Sequence, residues 1–211
     1  MRRRNCRDSN PLVLAGLLVA VFSPGATVLA APPDATANRV PEFSLTDIHG
    51  AKHSQGEWRR GKAVVLFFIG IDCPVSNGYA PQMQQLATTY AQRGVAFYGV
   101  HCDDALTAAD AARHATEYGL AFTVLLDPAQ VLARASGARV TPEAVVLSPE
   151  GNVLYQGRID DRYTIDGKRR DAPTVLDLEN ALSSVLAGEA PKVRQTKAFG
   201  CPLPRPKQSA R

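Results

Sequence analysis

The segment GKAVVLFFIGIDCPVSNGYAP (Gly61–Pro81) combines an apolar run with a cysteine shortly after its end. The run AVVLFFI is rich in Val and Phe and contains no polar residue, which is typical of a strand covered on both faces. After Cys73, apolar residues such as Leu86 and Tyr90 recur at helical spacing. The segment therefore predicts a buried strand that leads through a cysteine into a helix.

The segments around this unit predict further strands. PEFSLTDIHGAKHSQGEW, before it, alternates apolar and polar residues and turns at His49–Gly50, which is typical of a short hairpin. VAFYGVHC and AFTVLLD, after it, predict two more buried strands. TPEAVVLSPEGNVLYQGRI predicts two strands joined by a turn at SPEG.

Helices are predicted between and after these strands. DALTAADAARHATEYG predicts a helix from an aspartate cap to Gly119, and PAQVLARASG predicts one that ends at Gly137. APTVLDLENALSSVLAGE predicts an amphipathic terminal helix. The order is β-hairpin, β, α, β, α, β, α, β, β, α. This alternation predicts the α/β class, with a central mixed β-sheet flanked by helices and an N-terminal β-hairpin.

Residues 1–30 have the features of a secretory signal peptide. Four arginines precede an apolar run of 12 residues, and small residues suited to cleavage follow at Ala30 and Ala31. The run is shorter than the roughly 20 residues that span a bilayer, so we expect membrane contact through the signal peptide alone. An uncleaved anchor is the alternative. Residues 31–40 are rich in Pro and Ala and predict a linker.

Cleavage would remove most of the excess positive charge. The first 30 residues hold four Arg and one Asp, so the net charge falls from +4 to +1 without them. The net positive charge of the full chain therefore gives no support for a nucleic-acid partner. About 180 residues remain, which is enough for one domain with an ordinary hydrophobic core.

Cys73 lies where the predicted central strand ends and the helix begins. Helix N-termini carry partial positive charge and unpaired N–H groups, and both favour a thiolate over a thiol. This position predicts a nucleophilic sulfur with a lowered pKa. Pro74 follows in the first helical turn, where its missing N–H costs little. The alternative interpretation is a buried structural cysteine.

In their order and spacing, these segments resemble the thioredoxin-like redoxins, which include the alkyl hydroperoxide reductase/thiol-specific antioxidant family and periplasmic thiol–disulfide oxidoreductases. FSLTDIHG and GKAVVLFF match the opening hairpin and central strand, Cys73 matches the nucleophile, and Pro81 matches the proline of the active-site helix. VTPEAVVL matches the cis-proline loop. The resemblance implies one thioredoxin-like domain over residues 41–190, followed by a cysteine-containing tail over residues 191–211.

The resemblance also implies roles for residues near the sulfur. Thr141–Pro142 would form a cis peptide bond facing Cys73 and present a backbone edge along which a substrate chain pairs. The alternative is an ordinary trans proline before a strand, since only about one X–Pro bond in twenty is cis. Ser76 replaces the second cysteine of the family's Cys-x-x-Cys motif. Its hydroxyl could donate a hydrogen bond to the thiolate, but it cannot resolve a mixed disulfide.

Three more positions depart from the family pattern. Asp72 stands where a tryptophan is usual, and Tyr79 stands where many periplasmic relatives carry an acid. Peroxiredoxins have Thr or Ser three residues before the nucleophile, and this chain has Gly70. This difference weakens the case for direct peroxide reduction and leaves it as an alternative to disulfide exchange.

Thiol–disulfide exchange needs a resolving thiol after the first attack. Cys6 would leave with the signal peptide, so Cys73, Cys102 and Cys201 remain, an odd number. Cys201 lies in TKAFGCPLPR, which resembles the Thr…Gly-Cys ending of an exported bacterial subgroup whose active sites also read Cys-Pro-x-Ser. Cys102 ends a strand predicted to lie beside the central one. Either could resolve Cys73. The alternatives are a disordered tail whose thiol is incidental or pairs with another molecule, and a Cys102 that is simply buried.

His101 and His114 are candidate metal ligands. Exported relatives that deliver copper use a pair of cysteines and a distant histidine, and Ser76 replaces one member of that pair here. A lone histidine is more often not a ligand. We therefore expect no metal and no cofactor.

The sequence as a whole predicts an exported thiol–disulfide oxidoreductase, periplasmic or secreted, with Cys73 as its nucleophile. Its expected partners are protein disulfides or thiols, or a peroxide, together with an external reductant. Two alternatives stay open. One is a thiol peroxidase, and the other is a redox-silent or copper-handling binding module of the same fold.

Overall fold

The structure is a computed structural model that describes residues 39–205. The predicted signal peptide (1–30), most of the predicted linker and the last residues of the predicted tail (206–211) lie outside the described residues. Across residues 39–205, no helix is both long enough and apolar enough to cross a membrane.

Within the described residues, the chain forms nine strands, four α-helices and one 3-10 helix. The strands are β1 Ser44–Asp47, β2 Lys52–Ser54, β3 Ala63–Ile69, β4 Val95–His101, β5 Thr123–Leu126, β6 Val140–Thr141, β7 Glu143–Leu147, β8 Val153–Gly157 and β9 Cys201–Pro202. The helices are α1 Pro74–Ala91, α2 Ala108–Glu117, α3 Val131–Ser136 and α4 Asp177–Leu186, with the 3-10 helix at Gln55–Arg60. The predicted order is confirmed, and the short strands β6 and β9 are additional to it.

Seven of the strands form one mixed sheet in the order β2-β1-β5-β4-β3-β7-β8. β3, β4 and β5 run parallel, whereas β7 pairs antiparallel with both β3 and β8. The hairpin β1–β2 joins the sheet antiparallel to β5. The predicted α/β class, mixed sheet and N-terminal hairpin are therefore confirmed. The carboxyl ends of β3 and β4 reach the same sheet edge, where Ile69 pairs with His101.

β3 forms the centre of the core on both faces of the sheet. Each of its seven residues is at most 3 % exposed. Val65 and Phe67 pack on the side of α1 and α4, whereas Val64 and Leu66 pack on the side of the 3-10 helix and α3. Burial of each such side chain stabilises the fold by roughly 1.5–3 kcal/mol. The end of β3, which leads into the loop before Cys73, is therefore held firmly.

The start of α2 differs from the prediction. The sequence predicts an aspartate cap, but the helix begins at Ala108 with Thr107 as its cap. The Thr107 hydroxyl accepts a hydrogen bond from the Asp110 backbone N–H (3.1 Å) and donates one to the Asp110 carboxylate (2.6 Å). This reciprocal pair satisfies a free N–H of the first turn, which favours Thr107 over an earlier cap.

The segment after α4 folds back onto the domain. Thr196 and Gln156 are joined by a backbone hydrogen bond of 3.0 Å beside β8. Further along, β9 pairs antiparallel with β6. Residues 194–204, which belong to the predicted tail, therefore run along β8, the edge strand of the seven-stranded sheet, and then form a separate two-stranded sheet with β6. These residues are termed the docked tail.

Candidate active site

The loop between β3 and α1 presents Cys73 at the N-terminus of the helix. Cys73 is the N-cap residue of α1, and the Ser76 backbone N–H donates to its Sγ at 3.4 Å. The Ser76 hydroxyl instead accepts from the Gly70 backbone N–H (3.4 Å). The predicted strand–cysteine–helix junction is confirmed. Ser76 contacts the sulfur through its backbone rather than through its side chain.

The loop around β6 lies directly beside the sulfur. The Thr141–Pro142 peptide bond is cis, in agreement with the resemblance, and the Cys73 thiol donates to the Thr141 carbonyl at 2.9 Å. Gly70 lies next to the Thr141 side chain. A Cβ at Gly70 would come within 3.1 Å of the Thr141 hydroxyl oxygen, so the glycine lets that hydroxyl approach the loop.

β9 brings Cys201 to the same point. Cys201 is the register partner of Thr141 in the β6–β9 ladder, and the Thr141 hydroxyl donates to the Cys201 carbonyl at 3.5 Å. The Cys201 side chain lies near enough to interact with the Cys73 sulfur, and both thiols are free in this structure. The fold thus brings together five candidates from the sequence: Cys73, Ser76, Thr141, Pro142 and Cys201.

Two residues of the tail motif explain how the tail approaches β6 so closely. A Cβ at Gly200 would overlap the Thr141 carbonyl oxygen, so only glycine fits there. The Thr196 hydroxyl hydrogen-bonds to the Tyr155 hydroxyl (2.7 Å) and accepts from the Arg158 backbone N–H (3.0 Å). The threonine and glycine of the Thr…Gly-Cys pattern therefore anchor the tail against the domain.

Phe199 and Gln130, which the sequence did not single out, hold the tail on either side of Cys201. Phe199 stacks on Tyr163, with ring centroids 6.3 Å apart and planes inclined by 14°. The Gln130 amide donates to the Pro204 carbonyl at 2.6 Å. No local pattern reveals these contacts, because each partner lies far away in the chain.

Gln130 adopts an unusual backbone conformation to make its contacts. It is the one non-glycine residue with a positive φ (54°) within residues 39–205, a conformation that costs roughly 1–3 kcal/mol. The same amide group that contacts Pro204 also donates to the Cys102 carbonyl at 3.1 Å. Gln130 therefore connects the end of β4 with the docked tail.

The surroundings give the two facing thiols different acidities. Burial raises the pKa of Cys73, but hydrogen bonds from Cys201, Thr141 and the Ser76 N–H together outweigh it and hold the pKa below the usual thiol value. Burial and the neighbouring Cys73 raise the pKa of Cys201 to about 11. As pH rises, Cys73 therefore becomes the thiolate first, while Cys201 keeps its proton and donates it in a hydrogen bond.

We expect the pH dependence of Cys73 alkylation to reflect its lowered pKa. The pH–rate profile with iodoacetamide should have its midpoint below that of free cysteine, because the thiolate is the reactive form. The midpoint should move upward in Cys201→Ala, which removes a hydrogen-bond donor to the thiolate. Peptide mass mapping of the alkylated chain measures both. Cys102→Ala is the control and should leave the midpoint in place; an unmoved midpoint in Cys201→Ala would contradict the assignment.

Cys102 lies on the wall of a cavity of about 170 Å³ that Cys73 and Cys201 also line. The Cys102 side chain is buried, and burial together with the Asp127 carboxylate raises its pKa well above the usual range. It therefore stays protonated at neutral pH and is a poor attacking group. A raised pKa is common to Cys102 and Cys201, so the geometry decides between them. The β6–β9 ladder holds Cys201 opposite Thr141, whose carbonyl accepts from Cys73, and this favours Cys201 as the partner of Cys73.

His101 and His114 lie behind the Cys73 loop, with ring centroids 5.3 Å apart. His114 hydrogen-bonds to the Asn77 side chain (2.9 Å), which donates to the Ile71 carbonyl in the loop (2.8 Å). Burial lowers the pKa of both histidines, to about 3 for His101, so both are neutral at pH 7. In the part of the chain that the structure describes, no group of three or more His, Cys, Asp or Glu could hold a metal ion.

Tyr79 has an acid beside it that the sequence did not reveal. Its hydroxyl donates to the buried Asp160 carboxylate at 2.5 Å, and burial with that contact raises the pKa of Tyr79. Tyr79 stands where many periplasmic relatives carry an acid. The carboxylate here comes from the loop after β8, which lies 81 residues further along the chain.

Comparisons with known proteins agree with this geometry. The sequence profile of the AhpC/TSA family matches residues 36–156. The thiol-disulfide oxidoreductase ResA of Geobacillus kaustophilus is 27% identical over 119 residues, which cover 56% of this chain and 67% of the relative. The chain thus spans about two thirds of the length of the curated relatives it matches.

Two solved structures are similar over much of the described chain. A hypothetical protein from Sinorhizobium meliloti superposes with a TM-score of 0.69 at 26% identity, covering 79% of this chain and 92% of that one. A putative thiol:disulfide interchange protein DsbE from Chlorobium tepidum gives a TM-score of 0.50 at 25% identity, covering 57% of this chain and 82% of that one.

Proposed function

The chain belongs to the AhpC/TSA family, and we propose that it acts as a thiol–disulfide oxidoreductase with Cys73 as the nucleophile and Cys201 as the resolving thiol. The family match confirms the resemblance seen in the sequence, and the relatives named thiol-disulfide oxidoreductase support disulfide exchange as the activity. The observation that carries the proposal is the β6–β9 pairing, which holds the Cys201 thiol against Cys73. Export through residues 1–30 to the periplasm or the exterior is part of the proposal.

The chemistry follows from the two acidities. The Cys73 thiolate attacks one sulfur of a substrate disulfide; that S–S bond breaks, and the departing thiolate takes up a proton. In the mixed disulfide, Cys73 is no longer a thiol or thiolate and no longer raises the pKa of Cys201. The Cys201 sulfur then attacks Cys73 Sγ, the bond between Cys73 and the substrate sulfur breaks, and the proton of Cys201 passes to the departing substrate thiolate. The products are the second substrate thiol and a Cys73–Cys201 disulfide. One substrate disulfide becomes two thiols, and the thiols of Cys73 and Cys201 become one disulfide. An external thiol reductant restores the starting state.

The remaining site residues position these steps. The Ser76 N–H donates to Cys73 Sγ and stabilises its thiolate. The Thr141 side chain also lowers the pKa of Cys73. Thr141 and Pro142 hold the backbone edge beside the sulfur. Family membership implies protein thiols as substrates, and the reductant is a separate molecule.

The proposal predicts that Cys201→Ser traps an intermediate. The serine keeps the size of the side chain but cannot attack a disulfide. We expect the reduced wild-type chain, treated with a small disulfide, to yield a Cys73–Cys201 bond. The variant should instead accumulate a mixed disulfide between Cys73 and one thiol of the reagent, and turnover should fall at least about tenfold. Mass mapping of peptides distinguishes the two products.

Cys102→Ser is the matched control for this experiment, since it removes a sulfur from the same cavity. It should form the Cys73–Cys201 bond like the wild type. Wild-type turnover by Cys201→Ser, or a Cys73–Cys102 bond in the wild-type chain, would reject Cys201 as the resolving thiol.

A second candidate function is thiol peroxidase, which the position of the Thr141 hydroxyl favours. Peroxiredoxins carry a hydroxyl three residues before the nucleophile; Gly70 has none, but the Thr141 hydroxyl lies 3.1 Å from where its Cβ would be. A peroxide would transfer one oxygen to the Cys73 thiolate and leave as an alcohol or water. Cys201 would then condense with the sulfenic acid, releasing water.

Rapid mixing of the reduced chain with hydrogen peroxide separates the two candidates. A peroxidase should lose its Cys73 thiol much faster than free cysteine does at the same pH. A rate no faster than free cysteine would leave disulfide exchange as the function.

A further inference from the structure

β9 occupies the edge of β6 along which an extended partner chain would pair. Thr141 is paired with Cys201, and Val140 with Pro202. The pairing continues beyond β9, where the Leu203 N–H donates to the Arg139 carbonyl at 2.9 Å. Neighbouring strands lie about 4.8 Å apart, so a second strand cannot pair with the same edge of β6 while β9 is in place.

The docked tail is held on both sides of the sulfur pair. Phe199 is stacked on Tyr163 before Cys201, and the Gln130 amide binds the Pro204 carbonyl after it. A polypeptide from outside must compete with a segment of the same chain, which is present at high effective concentration. The contacts therefore disfavour pairing of any foreign strand with Thr141.

A small opening to Cys73 is present with the tail docked. The cavity of about 170 Å³ reaches Cys73 and is lined in part by residues of the active-site loop and of the tail. A cavity of about 150 Å³ takes a molecule the size of benzene. This space suits a short disulfide but not the width of a polypeptide strand. Its lining includes Ile71, Asp72, Asp103, Leu106, Pro202 and Pro204.

We propose that Cys73, while the tail is docked, reacts with low-molecular-weight disulfides and is closed to disulfides carried by polypeptides. This inference rests on the proposed function and names the substrate class of the resting site. The Cys73 thiolate attacks the small disulfide R–S–S–R, forms Cys73–S–S–R, and releases RS⁻, which takes up a proton. Cys201 completes the exchange as described above. A polypeptide disulfide reaches Cys73 only after β9 has left β6.

The test compares two disulfides in a Cys201→Ser background, which isolates the first step and keeps the tail of nearly unchanged shape. The small reagent is hydroxyethyl disulfide. The large one is the disulfide-linked dimer of a synthetic peptide with the sequence KAFGCPLPR (residues 197–205), which is the chain's own tail segment and so should suit the β6 edge. The readout is the rate at which each adduct appears on Cys73, divided by the rate of the same reagent with free cysteine.

With the tail docked, the small reagent should react at least about tenfold faster than the peptide dimer on this corrected scale. Adding Phe199→Ala, which removes the stack on Tyr163, should lower that ratio at least about tenfold by admitting the peptide. Gln130→Ala, which removes the bond to Pro204, should also lower the ratio. Agreement between the two variants would show that the effect does not come from misfolding of one of them. Lys197→Ala changes an exposed tail residue and should leave the ratio as it is.

The outcomes separate this inference from the function on which it rests. Equal corrected rates for the two reagents before any anchor is removed would overturn the size selection and leave disulfide exchange intact. A ratio that is the same in Phe199→Ala and Gln130→Ala as in Lys197→Ala would also overturn it, since the tail would then not be the barrier. An absence of any adduct on Cys73 from either reagent would overturn the proposed function itself.

Discussion

Replacement of Cys73 by serine is expected to abolish disulfide exchange, with a loss of at least about a thousandfold in turnover. The other two thiols of the described chain, Cys102 and Cys201, cannot take its place. In the wild type, burial and the neighbouring Cys73 raise the pKa of Cys201 to about 11, and the contribution of burial, which is the largest, remains when Cys73 is replaced. Burial together with the Asp127 carboxylate raises the pKa of Cys102 well above the usual range. Both thiols therefore stay protonated in the resting chain at neutral pH and cannot make the first attack, because the thiolate is the nucleophile. A coupled assay with a small disulfide and an excess of external thiol measures the loss.

The serine variant should keep the fold, which makes the result interpretable. A serine oxygen can accept the Ser76 N–H at the start of α1 as the sulfur does, and serine is a favoured N-cap residue. Circular dichroism should therefore match the wild type. Cys102→Ser, at the wall of the same cavity, should keep most of the activity. Turnover by Cys73→Ser above about one per cent of wild type would show that another group performs the first attack.

Replacement of Gly200 by alanine is expected to slow the formation of the Cys73–Cys201 disulfide by on the order of a hundredfold. The added Cβ would overlap the Thr141 carbonyl oxygen, so β9 must move away from β6. Cys201 then loses its fixed position beside Cys73, and the second attack loses the advantage of a preorganised intramolecular geometry. Quenched-flow oxidation with one equivalent of a small disulfide, followed by mass mapping, measures the rate of this second step.

The same variant should show a second, independent change. With Cys201 displaced, the Cys73 thiolate loses a hydrogen-bond donor, so the midpoint of its alkylation profile should move upward. Gly56→Ala is the control, because the nearest atom to its added Cβ is the Ser54 hydroxyl oxygen at 3.6 Å, an ordinary contact. Wild-type rates of disulfide formation in Gly200→Ala would mean that the tail does not need its pairing with Thr141 to bring the sulfurs together.

The parts of the fold that the sequence predicts are those with a strong local pattern. β3 is a continuous apolar run, and the cysteine after it is followed by a proline and a helical repeat, so the strand, the N-cap and the helix are all visible in one segment. The order of strands and helices follows in the same way. The cis bond at Thr141–Pro142 depended on the family resemblance, because nothing in the local sequence distinguishes it from a trans bond.

The parts that the sequence does not reveal depend on contacts between distant segments. β9 exists only because Gly200 and Cys201 meet Thr141, which lies about 60 residues earlier. The acid beside Tyr79 comes from Asp160. The family resemblance allows the Ser76 hydroxyl to donate a hydrogen bond to the thiolate, but the structure uses its backbone instead. At an N-cap it is the backbone N–H that points to the capping atom, and the hydroxyl is left for Gly70.

Gln130 makes the position of the tail detectable away from the sulfurs. The Gln130 side-chain amide donates to the carbonyls of both Cys102 and Pro204. Gln130 has a left-handed backbone and directly precedes Val131, the first residue of α3. When β9 leaves β6, Gln130 loses one of these partners and its strained backbone has less to hold it. The first turn of α3 should then exchange its amide hydrogens faster, so this helix would report whether the tail is docked.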